Sequence, residues 1–581
     1  VAVLENDFAK GNIRTYLSSI NGELQFVKNV YLYTLFGLQY QDMTEKTYWD
    51  PAIADGRAQA SGDLNGGLVA AADTRAFDWN WQNSLSYRNK FNNRHDLQVW
   101  GGVEYQEHKW NNTYAVVRHL SKPKPFLGFG ATRDESSEAL YKWTQISYFS
   151  RVNYVLDDKY TVSGQLRYDS NSTLGHKNRG GLFWSVGGSW NIGKEFMNTP
   201  FSQLVLRANY GEIGNIPYAD QASRAFASLP ILSSGFYGQT TPVINISEAG
   251  NPDLSWEVSK QWNFGLDVGI LKDRLSFSLD LYNKKTTSAI WNSAISAENG
   301  SPATFQSNIG ELTNKGIELT FNGRPFVGDF NWGVYGNFAY NKNEITKLDD
   351  PDAIIRGGGN GLKAFAVGRE FLEYYIPLWA GVDPATGAGL YWTDGTKTAT
   401  TTDRGLAKSV WMGKSSFPKY TAGFKNDFSY KGFSLSVFFT GQFDYYVNNM
   451  WQNFVSGDGV NMGRNQLTSA LYDSWTPDHR DALNPIQKAG NTSGSDGLSS
   501  RWIRKGDHIR LKELKVAYTF KTPSFVKNSG LEGLTIYMKG VNLWVYTFDK
   551  QLDFDPESNS NAYGGAAGKG AYDYTSPIMK S

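Results

Sequence analysis

Long stretches with a repeat of two residues constrain the fold of this chain more than any other feature. In KYTVSGQLRYD (159–169), apolar side chains occupy one set of alternate positions, and mostly polar side chains occupy the other. The same alternation recurs at 262–270, 275–281 and 330–341. A period of two is that of a β-strand with one apolar and one polar face. Because no comparable stretch repeats at the helical period of about 3.6 residues, the sequence predicts a nearly all-β chain.

Sixteen strands are predicted, and most of them are long. Strands of soluble sandwiches cluster near about 5–6 residues, whereas a tilted membrane-crossing strand needs about 9–11. The predicted lengths therefore favour strands that cross a membrane and extend beyond it. The predicted bounds are 12–26, 30–41, 77–90, 95–109, 144–156, 159–170, 181–193, 203–211, 258–270, 274–287, 314–324, 330–343, 418–430, 433–444, 508–520 and 532–546.

The predicted connections alternate between tight turns and long loops. The tight turns are rich in Asn, Asp, Gly, Pro and Lys, as in Asp157-Asp158 and Lys431-Gly432. Barrels of the outer membrane show this alternation, with short periplasmic turns and long external loops. The sequence thus predicts a transmembrane antiparallel β-barrel. The long segments are predicted near 42–76, 110–143, 212–257, 288–313, 344–417, 445–507 and 547–581.

The amino-acid composition excludes several classes of function. Aromatic residues make up 15% of the chain and charged residues 19%, against about 25% charged residues in an ordinary globular domain. The formal net charge of +1 provides no overall field for a polyanion, so nucleic acid is excluded as a partner. Cysteine is absent, which excludes disulfides, thiolate metal sites and a cysteine nucleophile.

A helical membrane protein is also excluded by the sequence. The most apolar stretch, 30–40, is shorter than the roughly 20 residues that a membrane-spanning helix needs. A β-barrel stays compatible with the low hydropathy, since its strands face lipid only at every second residue. The alternative folds are a soluble β-propeller and a tandem array of sandwiches, although both use shorter and more evenly spaced strands.

Several segments carry a resemblance to a known family, and they follow the family's order over more than half of the chain. They are RANYGEIGN (207–215), NPDLSWEVSKQWNFGLDVGI (251–270), RLSFSLDLYNKKT (274–286), NIGELTNKGIELTF (308–321), WAGVDPATGAGLYW (379–392), GDHIRLKELKVAYTF (506–520) and YMKGVNLWVYTFDKQLDFDPE (537–557). In these segments the chain resembles the barrel of the SusC/RagA family of TonB-dependent outer-membrane transporters of Bacteroidetes.

The resemblance implies a 22-stranded barrel closed by an N-terminal plug, as in other plugged outer-membrane transporters. Aligning the sixteen predicted strands with that count implies that about five early strands, the last strand, the plug and the TonB-binding segment are absent from this chain. An open sheet has unpaired edges, which a bilayer does not tolerate. We therefore expect the remaining segments of the same barrel, together with the lipid bilayer, among its partners.

The function implied by the resemblance is uptake of oligosaccharides or peptides across the outer membrane of a Gram-negative bacterium. A SusD-like surface lipoprotein would cover the long loops, and the TonB complex would act through the missing plug. Two alternatives from other classes are an outer-membrane hydrolase and a secreted glycan-binding β protein. Catalysis is not expected, because no spacing of Ser, His or carboxylate residues matches a catalytic motif.

Two groups of residues are candidate sites. Loop tryptophans offer flat apolar faces to sugar rings or, equally, to a lid protein. These are Trp379, Trp392, Trp411, Trp451 and Trp475. The acidic run Asp553, Asp555 and Glu557 alternates oxygen ligands as a calcium loop does, although a tight turn in the loop after a strand is the simpler interpretation. No other cofactor is predicted.

The polar positions of the predicted strands carry charges that should be paired where they are buried. They are Arg167, Asp169, Arg207, Asn209, Asp267 and Asp280, which we expect to line the plug or a solvated interior. In the strand 508–520, Glu513 breaks the alternation between Leu511 and Leu514. That break predicts a β-bulge.

Overall fold

The computed structural model describes most of the chain. The described residues are 6–53, 56, 66–196, 200–216, 226–237, 241–294, 298, 304–357, 361–450, 452–460, 466–491, 493–520, 528, 530–552, 554–558 and 571–572.

Sixteen strands form one large antiparallel sheet in this part of the chain, and every predicted strand is among them. Successive strands along the chain are neighbours in the sheet, which is the order expected when each strand pairs with the next. The strands are β1 (Phe8–Val27), β2 (Val30–Trp49), β3 (Leu68–Phe91), β4 (His95–Leu120), β5 (Gly130–Leu156), β6 (Tyr160–Asn171), β7 (Gly180–Asn191), β8 (Phe201–Asn215), β9 (Glu257–Ile270), β10 (Leu275–Ala294), β11 (Thr304–Phe326), β12 (Phe330–Leu348), β13 (Tyr420–Tyr430), β14 (Phe433–Phe443), β15 (His508–Phe520) and β16 (Leu534–Thr547).

Strands β2 to β5 are longer than predicted. The strands β4 and β5 have 26 and 27 residues, and they stay paired beyond Trp110, which lies opposite Tyr141. Much of the predicted loop 110–143 is therefore strand, and only 121–129 connects β4 to β5. In the same way, the connection predicted at 42–76 is reduced to 50–67. The extensions lack the period-two signal: the added part of β5, GATRDESSEAL, is largely polar, whereas those of β3 and β4 contain runs of successive apolar residues, LVAAA and AVV.

The predicted tight turns are confirmed. Residues 28–29 join β1 to β2, and residues 431–432 join β13 to β14. Asn29, Asp158 and Gly432 have φ angles of 68°, 54° and 93°. Asn, Asp and Gly tolerate positive φ better than other residues, and tight hairpin turns commonly require it.

The predicted bulge in β15 is also confirmed. In the pairing with β14, Phe438 lies opposite Glu513, but the next residue, Phe439, lies opposite Leu511. One extra residue, Lys512, is thus inserted into β15 at the position where the sequence alternation breaks. The bulge keeps the apolar side chains before and after it on one face.

The hydrophobic residues of the sheet have the reverse of the usual burial. On β6, Val162, Leu166 and Tyr168 are 56%, 48% and 44% exposed. The buried apolar clusters lie instead near strand ends and in long connections. Examples are the contacts among Leu174, Leu254 and Trp256 and those among Leu362, Tyr374 and Ile503. A broad exposed apolar surface of this kind marks a membrane or protein contact.

The long connections contain secondary structure of their own. Small sheets form from 231–237 with 241–248; from 355–357, 363–365, 373–376 and 410–415; from 379–382, 389–392 and 400–401; and from 446–449, 503–505 and 571–572. Short α-helices span Ile192–Glu195, Gln452–Val455 and Thr468–Tyr472, and 3₁₀ turns span Leu127–Phe129, Arg404–Leu406 and Ser500–Trp502. No helix in the described part of the chain is long and apolar enough to cross a membrane.

Contacts divide the chain into two units, each of which is described by itself. The first contains 1–190, 209–261 and 286–310, and the second contains 191–208, 262–285 and 311–581. The first unit includes β1 to β7. The second includes β13 to β16 and the described residues of 349–419 and 444–507, which we call the loop module.

Substitution of Gly432 by alanine should destabilise the sheet by about 1–3 kcal/mol, the usual cost of strained backbone. Its φ is positive, and a Cβ atom there would lie 2.8 Å from the carbonyl oxygen of Thr519. The matched control is Gly328→Ala in another tight connection, where a Cβ atom meets nothing within 4 Å. Urea unfolding of the folded barrel in detergent measures both. Equal stability of the two variants would contradict this account.

Candidate functional site

Alternation gives the large sheet a polar face opposite its exposed apolar face. On neighbouring strands, Glu104 of β4 lies opposite Ser147 of β5, and Ser147 lies opposite Asp169 of β6. Side chains at these positions share one face, because directly paired residues of adjacent strands point the same way. The same face carries Arg167, two positions from Asp169 along β6.

Arg167 connects three strands on the polar face. Its Nε donates to Asp169 Oδ1 at 2.7 Å, and its Nη2 donates to Glu104 Oε2 at 3.0 Å and to Ser147 Oγ at 2.8 Å. The guanidinium is partly buried, so the two carboxylates offset the cost of removing its charge from water. The pairing expected for Arg167 and Asp169 is confirmed.

Arg207 of β8 organises a second cluster of the same kind. Its Nε and Nη2 donate to the two oxygens of Asp267 at 2.7 and 3.0 Å, and its Nη1 and Nη2 donate to those of Asp280, both at 3.1 Å. Gly265 leaves the room for this geometry, since a Cβ atom there would lie 2.5 Å from the guanidinium carbon. The predicted pairing is confirmed for these three charges, whereas Asn209 on the same face of β8 is exposed.

The carboxylates of the predicted calcium run face an arginine. Arg510 is 2% exposed; its Nη2 donates to Asp555 Oδ1 at 2.6 Å, and its Nε forms an ion pair with Glu557 Oε2 at 2.6 Å. The third predicted ligand, Asp553, lies outside the described residues. Among the residues that the structure describes, no group of three or more His, Asp or Glu side chains is placed to hold a metal ion. Calcium binding here stays a prediction.

The predicted loop tryptophans lie in different surroundings. Trp411 packs on Tyr375 with ring centroids 4.7 Å apart, and Trp379 meets the ring of Tyr391 edge-on at 5.2 Å. Trp392 is partly buried at the end of a short strand. Trp475 is 8% exposed, so it leaves little surface for a ligand. Trp451 lies outside the described residues.

A buried ion pair stabilises the loop module, and no pattern in the sequence predicts it. Arg501 Nη1 and Nη2 donate to the two oxygens of Asp458 at 2.6 and 2.9 Å, and the side chains are 4% and 0% exposed. Arg501 Nη2 also donates to Asn484 Oδ1 at 2.9 Å, while Ser495 Oγ donates to Asp458 Oδ2 at 2.6 Å. The partners are up to 43 residues apart in the sequence and lie in irregular segments. No repeating pattern of residues there indicates which side chains are in contact.

Buried tyrosines add neutral hydrogen bonds to the loop module. Burial raises the pKa of Tyr391 to about 12 and raises the pKa of Tyr374 well above its usual range. Both phenols therefore stay protonated near neutral pH. Tyr391 donates to the carbonyl oxygen of Gly494 at 2.8 Å, and Tyr374 donates to that of Tyr446 at 3.2 Å.

Comparison with known proteins identifies the family. Residues 4–449 match the family described as "TonB dependent receptor-like, beta-barrel". The chain belongs to this family. Its members lie in the outer membrane of Gram-negative bacteria, and the exposed apolar face of the sheet is the surface that such a location requires. This assignment agrees with the resemblance found in the sequence.

Relatives of this outer-membrane barrel include two receptors from Bacteroidetes. TonB-dependent receptor P3 of Formosa agariphila is 28% identical over 94% of this chain and 54% of its own length. TonB-dependent receptor SusC of Bacteroides thetaiotaomicron is 25% identical over 96% of this chain and 55% of its own length. The chain thus spans about half the length of the curated relatives that it matches.

A solved structure supports the same fold. The structure titled "Structure of the RagAB peptide transporter" superimposes with a TM-score of 0.81 at 25% identity, and the match covers 98% of this chain and 61% of that chain. The peptide importer in its "open-open" state matches with the same TM-score.

Replacing Arg207 by methionine should lower the free energy of unfolding by about 1–3 kcal/mol, since Asp267 and Asp280 would lose their charged donor. Arg207→Lys should recover only part of the loss, because a lysine cannot form the two bidentate contacts. Asn209→Ala, on the same face of the same strand, is the control and should change stability by less than about 0.5 kcal/mol. Urea unfolding in detergent measures these free energies. Equal stability of Arg207→Met and Asn209→Ala would contradict the account.

Replacing Asp458 by asparagine should loosen the loop module while leaving the large sheet intact. The variant leaves a buried guanidinium without its counter-charge, and breaking such a pair costs about 3–5 kcal/mol. Hydrogen exchange followed by mass spectrometry should show faster exchange in 446–505 and unchanged protection in β4 to β6. If the substitution changed exchange equally in both regions, or in neither, the proposed role of the pair would be contradicted.

Proposed function

We propose that this chain forms the greater part of the barrel of a nutrient importer, which TonB energises for uptake across the outer membrane. The observation that carries the proposal is the division of one sheet into an exposed apolar face and a polar face with ion-paired clusters. The first face suits lipid, and the second suits a solvated interior that contains a plug. Arg207, Asp267 and Asp280 would then contact the plug or stabilise the wall beside it.

The remaining strands and the plug are proposed to come from other segments of the same barrel. The strands β1 and β16 are the edges of the described sheet. Edge strands have unpaired backbone groups, and in a bilayer those groups require partners. The relatives, which are nearly twice as long, have room for such segments.

We propose a SusD-like lipoprotein as the partner of the loop module. A surface that binds another protein repeatedly needs a stable shape, and the Asp458–Arg501 pair and the buried tyrosines provide it. Trp379, Trp392 and Trp411 are the proposed contacts with this lipoprotein or with cargo, because their rings are only partly buried. Trp451 and Trp475 complete the predicted set, although the burial of Trp475 makes it the weaker candidate.

The proposed role is transport rather than catalysis. Relatives that match over nearly the whole chain are named as receptors, and the solved structure is named as a transporter. The proposed cargo is an oligosaccharide or a peptide. Calcium at 553–557 would have to compete with Arg510 for Asp555 and Glu557, so we propose it only as a secondary ligand.

The complete receptor, purified from native membranes, should co-purify with one surface lipoprotein in equal amount. Asp458→Asn should reduce that recovery several-fold, because the loop module would lose its fixed shape. Gly328→Ala, in a tight turn of the sheet, should leave recovery unchanged. Mass spectrometry of the eluted chains measures the outcome, and recovery of the receptor alone from wild-type membranes would contradict the proposed partner.

Deleting the cell's TonB should abolish uptake of the cargo without changing the amount of receptor. Uptake that continued at the wild-type rate in that strain would contradict the proposed mechanism of energisation.

A further inference from the structure

A pocket of about 490 Å³ lies on the polar face of the first unit, across β1 to β5. Its volume is within the range of roughly 300–1,000 Å³ that is typical of small-molecule sites. The side chains of Gln39, Asp78, Asn80, Gln106 and Trp143 line it. All five point to the polar face, as the register shows: Gln39 lies opposite Asp78, Asn80 lies opposite Gln106, and Trp143 lies opposite His108, which is itself opposite Asp78.

A glycine shapes the floor of this pocket. Gly37 of β2 lies opposite Asn80, and a Cβ atom at Gly37 would lie 2.3 Å from Asn80 Oδ1. The missing side chain lets the amide of Asn80 lie across β2 and line the pocket. Within the described part of the chain, the side-chain amides of Gln39 and Asn80 form no hydrogen bond, so their donors and acceptors are available to a ligand.

One wall of the pocket is the ring of Trp143, which lies at the end of a row of aromatic contacts. Trp143 stacks on His108 with centroids 5.7 Å apart and an interplanar angle of 20°. His108 contacts Tyr141 at 5.7 Å, and Tyr141 stacks on Trp110 at 4.6 Å. His108 Nδ1 is also hydrogen-bonded to Asp78, which fixes the orientation of its ring. Trp143 is thus a rigid platform at the end of a supported stack.

We propose that this pocket binds a neutral sugar unit of the imported cargo. The inference rests on the proposed import function and adds the chemical class of the cargo. A sugar ring has a C–H face that packs on an aromatic ring, and its hydroxyls both donate and accept hydrogen bonds. Trp143 supplies the aromatic surface, and the amides of Gln39 and Asn80 supply matching donors and acceptors.

The charges around the pocket favour a neutral ligand over a peptide. Asp78 is engaged by His108, and the carboxylate of Glu107, whose backbone borders the pocket, pairs with Lys142 at 2.9 Å. Among the described residues that line the pocket, none is Lys or Arg. The carboxylate of a peptide would therefore find no counter-charge here, whereas the hydroxyls of a sugar need none.

The test uses the complete receptor in detergent and two sets of probes. The first contains neutral hexasaccharides of glucose, xylose, mannose and fructose, and the second contains hexapeptides of mixed charge. Calorimetric titration should show binding of at least one hexasaccharide. Trp143→Ala should weaken that binding about tenfold, and Asn80→Ala should weaken it several-fold.

Two further variants separate binding from folding. Trp81→Ala removes a tryptophan from the apolar face of β3, next to Asn80 in sequence, and should leave binding unchanged. Gly37→Ala should fold, because only a side-chain atom has to move, but it should weaken binding by displacing the Asn80 amide. Circular dichroism and heat-modifiable gel mobility confirm that each variant is folded.

Binding of hexapeptides alone, or hexasaccharide binding that Trp143→Ala leaves unchanged, would overturn the inference. Growth of a receptor-deletion strain on the same glycans and peptides distinguishes failure of the sugar-pocket inference from failure of the proposed import function. If the strain lost growth on peptides only, the import function would be supported and the sugar pocket would be rejected. Unchanged growth on every probe would reject import itself and, with it, this inference.

Discussion

The structure depends on one constraint: at membrane depth, every backbone N–H and C=O group needs a partner within the protein. The sheet meets it with long antiparallel strands whose pairing continues over as many as 24 successive residues, as between β3 and β4. Such strands place alternate side chains on opposite faces, so one face is apolar and exposed while the other is polar. At one end of the strands the pairing continues almost to the reversal of the chain, so tight turns such as 28–29 and 431–432 are sufficient to join neighbours.

The apolar face excludes most charged side chains, so these lie elsewhere, for example on the polar face or in the loop module. On the polar face they form two clusters in which one arginine, Arg167 or Arg207, pairs with two carboxylates. In the loop module, a bidentate pair between Asp458 and Arg501 is almost completely buried. A buried pair of this kind is costly to break, which is why it fixes loop conformation more firmly than exposed contacts do. The module can therefore present a defined surface without a large hydrophobic core.

Most of the sheet could be predicted from the sequence, because lipid on one side and polar groups on the other leave a period-two signal in the strands. The bulge at Lys512 was equally visible, since Glu513 interrupts that signal. The extensions of β4 and β5 were not, because neither alternates: GATRDESSEAL in β5 is largely polar, and β4 contains the apolar run AVV. Trp475 and the Asp458–Arg501 pair lie in loop segments that have no repeating hydrophobic pattern. The burial of Trp475 and the pairing of Asp458 with Arg501 could therefore not be predicted from residue spacing. The pocket at Trp143 was missed for another reason: it is built from five strands, and only their register brings its residues together.

The most direct test of the account is the environment of each residue along β6. The chain has no cysteine, so single cysteines can be introduced at 160–169 in the complete receptor, in a background without other cysteines, and labelled with a nitroxide in liposomes. The account predicts that positions 160, 162, 164, 166 and 168 are accessible to oxygen dissolved in lipid. Positions 161, 163, 165, 167 and 169 should instead be accessible to a water-soluble relaxation agent or shielded by the plug. An absence of alternation, or access of the water-soluble agent to the even positions, would contradict a lipid-facing apolar sheet.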